Sequence, residues 1–440
     1  MKKLRGAIIS ACNKKILDSF FPKDLCNFYA LAIYLLFSII QMIRVSSTGL
    51  GNDFKVFFAA GELMRKGLSP YLSPDYLNGP LHALFLSLII DFDFEFILGG
   101  LRVVSIILIP LLIWQVGLVL RVNLNSLKIL SIAALIQISA FNMTLLAYGQ
   151  LNVISSSLLL LAFYLVCKIN DSNRKTLVNS SIFTTIAIIL IDYKPHIYLL
   201  PLIYLFFLKA RYIWKWTIIP SAFYIWFLSV NDFSYIREWI FNVIDRSRGQ
   251  LSLGDQITIY ALPLPFMLTM LFIWILVVFK MRLFQARRET WRFLLGPSSV
   301  LCVMVCLPTL FGPYVHPQDA ILTYIFLMMF LLAKTNLFFS PISLLFAGMS
   351  FTWSVTVIGL LMHSLETAII VLFISKIFRM RFRFSYILLL PAISFYVSSR
   401  FIEIGHFRSY IYVIGLHGLV ALLLNHVISQ KTFRQADGSG

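Results

Sequence analysis

Charge is what this sequence has least of. Charged side chains make up 13% of its 440 residues, against about 25% in an ordinary soluble domain. Acidic residues are the scarcer kind: 19 Asp and Glu stand against 37 Lys and Arg, a formal balance of +18. That composition excludes a water-soluble globule with an ordinary charged surface. Cysteine is sparse too. The five, Cys12, Cys26, Cys167, Cys302 and Cys306, fall in apolar runs or beside basic ones, and no pair reads as an extracytoplasmic disulfide or a zinc site. Cys302 and Cys306 lie four apart on one helix face and read as small packing residues. The chain lacks low-complexity tracts and shows no inverted repeat of the kind many transporters carry. No cleavable signal peptide is read in MKKLRGAIISACNKK, whose apolar run is short and is followed by a second basic pair. The basic excess has no single basic face to gather on, which argues against a nucleic-acid partner.

Hydrophobic residues supply 59% of the chain, and they come in long runs. A bilayer core of about 30 Å needs roughly 20 apolar residues per helix. Phe28–Val45, Val103–Leu120, Ala261–Phe279 and Ser385–Ser398 are runs of this kind or nearly so, and they recur from end to end. The reading is an all-α polytopic membrane protein with one membrane domain over 1–437 and a cloning scar at Gly438–Gly440. Lys and Arg cluster at Lys2 to Lys23, Arg121 with Lys128, Lys168 to Lys175, Lys209 to Lys215, Lys280 to Arg292, Lys334, Lys376 to Arg383, and Lys431 with Arg434. Cytoplasmic loops of inserted proteins collect such cations. The clusters therefore mark one side as cytoplasmic, with both termini on it and an even number of spans, roughly 12–14. Leu337–Lys376 reads as two short spans. Lys280–Arg292, with its aromatic residues, and Arg379, Arg381 and Arg383 read as membrane anchors.

The loops on the opposite side hold the candidate chemistry. The longest runs from Ser46 to about Gly99. Within it GLGNDFKVFFAAGELMRKG mixes Phe54, Phe57, Phe58, Leu63 and Met64 with charged residues and is too polar to span. It is expected as an interfacial helix, aromatic face in lipid, capped by Asn52 or Asp53 and ended by Gly67. Leu77–Ile90 is expected as a second interfacial or re-entrant segment. Asp53 has two readings: a carboxylate favoured by the helix dipole, or a general base for a hydroxyl group.

Other loops add polar residues. Gln150 and Asn152 flank a turn between apolar runs, where two amides are costly unless satisfied; they either cap the turn by bonding each other or contact a ligand. Lys194, between Asp192 and His196, is either ion-paired with Asp192 or a point charge for a phosphate. Arg246 and Arg248 are cations on the outer side, against the usual trend; they pair with Asp245 or lipid headgroups, or clamp a phosphate. His316 lies in FGPYVHPQDA, held between prolines and followed by Gln318 and Asp319. His316 can bond a phosphate and Asp319 can orient it. A His–Asp metal site there lacks a third ligand.

Several of these residues sit in segments that resemble glycosyltransferase family 87 of the GT-C superfamily. The matches are Asp53-Phe54, Ala59-Ala60, Gly67 and Pro70-Tyr71 in the first loop; Gly149-Gln150-Leu151-Asn152; Lys194-Pro195 within IDYKPHIYLLPL; and, more weakly, Gly249-Gln250-Leu251-Ser252-Leu253. They keep family order over roughly residues 50–320. Asn78-Gly79-Pro80 departs from the family's Tyr-Pro-Pro. The resemblance implies a GT-C fold and an inverting transfer from a polyprenyl-phosphate sugar to a glycan, glycolipid or protein acceptor. It implies a site on the extracytoplasmic face of a bacterial inner membrane, with no soluble cofactor. Asp53 then matches the catalytic carboxylate. Lys194, Arg246, Arg248 and His316 would bind the donor phosphate, and Gln150, Asn152, Tyr71, Gln318 and Asp319 the sugar or acceptor. Alternatives kept open are a transporter or flippase of lipid-linked sugars, and an O-antigen polymerase or ligase.

Overall fold

The computed structural model describes residues 23–47, 51–73, 75–120, 122, 124–169, 174–230, 233–249, 297–311 and 315–330, with single positions between 265 and 275 and His417. Among them the structure is mostly helical and contains no strand. Three helices are long and apolar enough to cross a membrane: α1 (Lys23–Ser47), α4 (Phe94–Leu120) and α8 (Arg174–Tyr193). The number rises to five if two bent pairs each make one span. In the first pair α5 (Ser126–Gln137) meets α6 (Ala140–Tyr148) at 69°. In the second, α9 (Pro195–Leu208) meets the short turn Ala210–Trp216 at 84°. α7 (Asn152–Lys168), α10 (Ile218–Ser229), α12 (Pro297–Phe311) and α13 (Ile321–Phe330) are shorter and apolar. This set is compatible with a multi-pass membrane protein. The expected spans in Ala261–Phe279, Leu337–Lys376 and Ser385–Ser398, the basic runs Lys280–Arg292 and Arg379–Arg383, and the terminal glycines lie wholly or largely outside the described residues.

α4 shows why a bilayer suits these helices. Ile106, Ile109, Ile113, Val116 and Leu120 are buried in the core, while Val103, Ile107, Leu111, Trp114 and Leu118 are exposed on another face. Both faces are apolar. A helix apolar all round needs an apolar medium on its outward side. The main core forms where α4 packs with α5, α7 and α13.

The first loop folds differently from the expectation. α2 (Asn52–Arg65) does end at Gly67. Leu68 N–H bonds Leu63 O at 2.9 Å, Gly67 N–H bonds Met64 O at 3.0 Å, and Gly67 takes φ +72°. That is the left-handed stop that glycine adopts without strain. The aromatic face of α2, however, turns into the protein and not into lipid. Phe54, Phe57 and Ala60 are buried against Tyr71, Tyr76, Leu98 and two residues of α3 (Pro80–Ser87), Ala83 and Leu86. The physical reason is that α3 lies across α2 and covers those rings with carbon, as a bilayer would. α3 is the segment expected as interfacial or re-entrant, and most of it is buried.

Candidate functional site

The site is assembled by helix breaks. α6 ends at Gly149, which adopts φ +70°; its N–H and that of Gln150 both bond Leu145 O at 3.1 Å. A Cβ on Gly149 would lie 2.9 Å from Phe54 Cβ. Glycine here therefore lets α2 approach, which sets Gln150 beside Asp53. α8 ends at Tyr193 because Pro195 follows: proline supplies no N–H and opens the next helix at its first position. Lys194 is left at the break. The third piece is a 3-10 turn, Pro317–Ala320, leading into α13. Asp319 caps it by accepting His316 N–H at 3.1 Å, and its own N–H bonds His316 O at 3.0 Å.

These breaks bring Asp53, Gln150, Asn152, Tyr193, Lys194 and Asp319 into one hydrogen-bonded network. Gln150 Nε2 donates to Asp53 Oδ2. Tyr193 Oη is 2.8 Å from Gln150 Oε1 and 2.9 Å from Asn152 Oδ1, and it accepts Leu151 N–H at 3.0 Å. Asn152 Nδ2 donates to Gln318 O at 2.8 Å and to Asp319 Oδ1 at 2.9 Å. Lys194 Nζ donates to Asp319 Oδ1 at 2.6 Å. The two amides therefore do not bond each other; a tyrosine stands between them.

Asp53 is partly exposed and does not cap α2. Gly51 holds the N-cap position and no side chain bonds there. Desolvation pushes the Asp53 carboxyl above its ordinary value, while Lys194, the Gln150 hydrogen bond and His316 oppose the rise. Lys194 does not pair with Asp192 as one reading had it. The reason is helix direction: Asp192 accepts from Leu81 N–H at 3.2 Å and His82 N–H at 2.7 Å, at the N-terminus of α3, and from Tyr224 Oη at 2.9 Å. Lys194, past the break, faces Asp319 instead, and both side chains are buried.

Tyr71 belongs to a different neighbourhood. It donates to Asn78 O at 3.1 Å, its ring lies 5.6 Å from Tyr76, and it packs inside the α2–α3 aromatic cluster. Arg246 and Arg248 sit near the end of α11 (Ser234–Gly249), but their side chains and Gln250–Leu253 lie outside the described residues. The departure at Asn78-Gly79-Pro80 has a local cause. Gly79 N–H bonds Asp192 O at 2.5 Å, and a Cβ at 79 would collide with the Asp192 carboxylate.

Two residues escaped the sequence reading. Tyr193 was hidden in plain order beside Lys194. His82 lies with its ring 5.3 Å from the Tyr193 ring and its Nδ1 3.1 Å from Asn78 Nδ2. Burial, then the Lys194 charge, push its imidazole down to about 3, so it is neutral at physiological pH. Nε2 of His82, Nε2 of His196 and Oε1 of Gln318 are enclosed and have no hydrogen-bond partner among the described residues. Among the described residues no three His, Cys, Asp or Glu side chains gather into a metal site. Comparison with family models, with curated proteins and with solved structures finds no match to this chain.

Proposed function

We propose that this chain is a GT-C type membrane glycosyltransferase, as the resemblance to family 87 implies. It takes a sugar from a polyprenyl phosphate and passes it to a hydroxyl group on the extracytoplasmic side. The acceptor oxygen attacks the anomeric carbon, the bond from that carbon to the phosphate oxygen breaks, and the hydroxyl proton goes to Asp53. Polyprenyl phosphate leaves as the anion. The observation that carries this reading is a partly exposed carboxylate, Asp53, held through Gln150 in the field of Lys194 and His316. A general base and cations for a leaving phosphate are the two elements that such a displacement needs. The unpartnered polar atoms of His82, His196 and Gln318 support it, since a polyhydroxyl ligand can both donate to and accept from them. Asp319, whose oxygens face Lys194, Asn152 and His316 N–H, holds the lysine in this reading.

One observation favours a second reading. A buried Lys–Asp pair at a break between two apolar helices is also how transporters build ion-coupled sites. The two readings separate in reconstituted vesicles supplied with polyprenyl-phosphate mannose, glucose or arabinofuranose and a glycolipid acceptor. Transfer gives a new glycoside and free polyprenyl phosphate by mass spectrometry. Movement of the intact donor across the bilayer, with no bond broken, would decide for the transporter.

A further inference from the structure

The hydroxyl of Tyr193 has one hydrogen and stands before two amide oxygens, those of Gln150 and Asn152, while accepting Leu151 N–H. A side-chain amide can face either way, so something must choose. With both oxygens turned toward Tyr193, both NH₂ groups turn outward, Gln150 to Asp53 and Asn152 to Asp319. The flipped amide would set a carbonyl oxygen against a carboxylate. The ring of the same tyrosine lies 5.3 Å from Lys194 Nζ, near enough for its face to attract the cation.

We propose that Tyr193 is the positioning residue of the site: its hydroxyl fixes the orientation of Gln150 and Asn152, and so holds Asp53 and the Lys194–Asp319 pair in one working arrangement. It touches no reacting atom. It acts on Asp53 through Gln150 and on Lys194 through Asn152, Asp319 and its own ring. The inference deepens the transferase reading and rests on it for its catalytic consequence. The hydrogen-bond chain itself is testable without turnover.

Tyr193→Phe keeps the ring and removes the hydroxyl. Gln150 Oε1 then loses its hydrogen-bond donor, the amide is held less firmly against Asp53, the N–H that favours the charged form weakens, and the Asp53 titration moves to higher pH. The groups facing Asp53 are Lys194 from the α8–α9 break, His316 and Asp319 from the 3-10 turn, and Tyr193 itself. α3 adds only His82, which is neutral, and α4 presents Phe94 to the neighbouring Phe54 ring. None of these substitutes for the weakened N–H.

The experiment measures two things on purified full-length protein. One is the pH dependence of thermal stability, with Asp53→Asn as the reference that removes Asp53's share. The other is transfer rate against pH with polyprenyl-phosphate sugars. In Tyr193→Phe the Asp53-dependent part of the stability profile is expected at higher pH than in wild type. The rate is expected to fall roughly 10- to 100-fold at low pH and to recover as pH rises. A purely structural tyrosine would lower the rate by one factor at every pH and leave the Asp53 titration in place, which would overturn the proposal. Gln150→Leu gives the same shift on this view, and the double variant adds nothing to it. Should Tyr193→Phe fail to fold, an unmoved Asp53 titration in Gln150→Leu overturns the proposal alone. A shifted stability profile in a protein that transfers no sugar would leave the positioning role standing and remove the transferase reading.

Discussion

Lys194 and Asp319 show what single residues contribute here. The pair is 2.6 Å apart and buried on both sides. Removing one member of such a pair leaves a charge without compensation and typically costs about 3–5 kcal/mol. Lys194→Met is therefore expected to lower the unfolding temperature in detergent strongly. The double variant Lys194→Met with Asp319→Leu is expected to recover much of that loss, because no orphan charge remains. Equal unfolding temperatures for the single and double variants would contradict the pairing. Asp53 is the opposite case. Its carboxyl is raised by burial. A raised carboxylate contributes stability below its unfolded value, and that contribution is lost as pH rises through the folded value. Asp53→Asn is therefore expected to be at least as stable as wild type at neutral pH, as a thermal scan across the acid-to-neutral range would show. A residue kept only for the fold would behave the other way.

Among the elements, α2 carries the sharpest expectation. Gly67 stands at φ +72°, and apart from its chain neighbours no atom of the described residues comes within 4 Å of where a Cβ would sit. Gly67→Ala therefore meets backbone strain and nothing else. The cost is about 1–2 kcal/mol, measured as a shift in thermal stability. Gly79→Ala, with the same added atom, drives a Cβ into Asp192 and is expected to cost more. The pattern of elements was legible in part. The stop at Gly67 and the break at Lys194-Pro195 follow from glycine and proline chemistry, which is local. The inward turn of the α2 aromatic face was not legible, because Phe54 and Phe57 are equally apolar toward lipid or protein. Only the position of α3 decides between them. The partner of Lys194 was hidden for a similar reason. Asp319 lies 125 residues away, while Asp192 lies two positions before it in the sequence. Tyr193 carries no signal of its own in the sequence, because it stands between two charged residues, Asp192 and Lys194, and the two amides it meets lie more than 40 positions away.

At the scale of the whole molecule, three to five described helices are long and apolar enough to cross a membrane, and we propose that the Lys and Arg clusters mark its cytoplasmic side. The topology reading sets Asp53 and His316 opposite the cytoplasm. Lys66 is exposed beside the end of α2, so a cysteine there is expected to react with an impermeant thiol reagent in intact cells. Labelling only after permeabilisation would reverse the orientation. The candidate site draws on α2, the α6–α7 turn, the α8–α9 break and the late 3-10 turn. These are four separated stretches, three of them at the residues that resemble family 87. That convergence was legible as a list of suspects. It was not legible as a connected network.

The claim at the centre is that Asp53 takes the acceptor's proton, and Asp53→Asn in purified protein tests it most directly. The amide keeps the size of the side chain and can still hydrogen bond, but it cannot accept a proton as a base. Loss of a general base typically costs about 10²–10⁴-fold in rate. The variant is expected to fold, to bind polyprenyl-phosphate sugar like wild type and to lose sugar transfer by a factor in that range, read by mass spectrometry of the glycosylated acceptor. Near-normal transfer by Asp53→Asn would contradict the account and move the search for the base to Glu62 or Asp319.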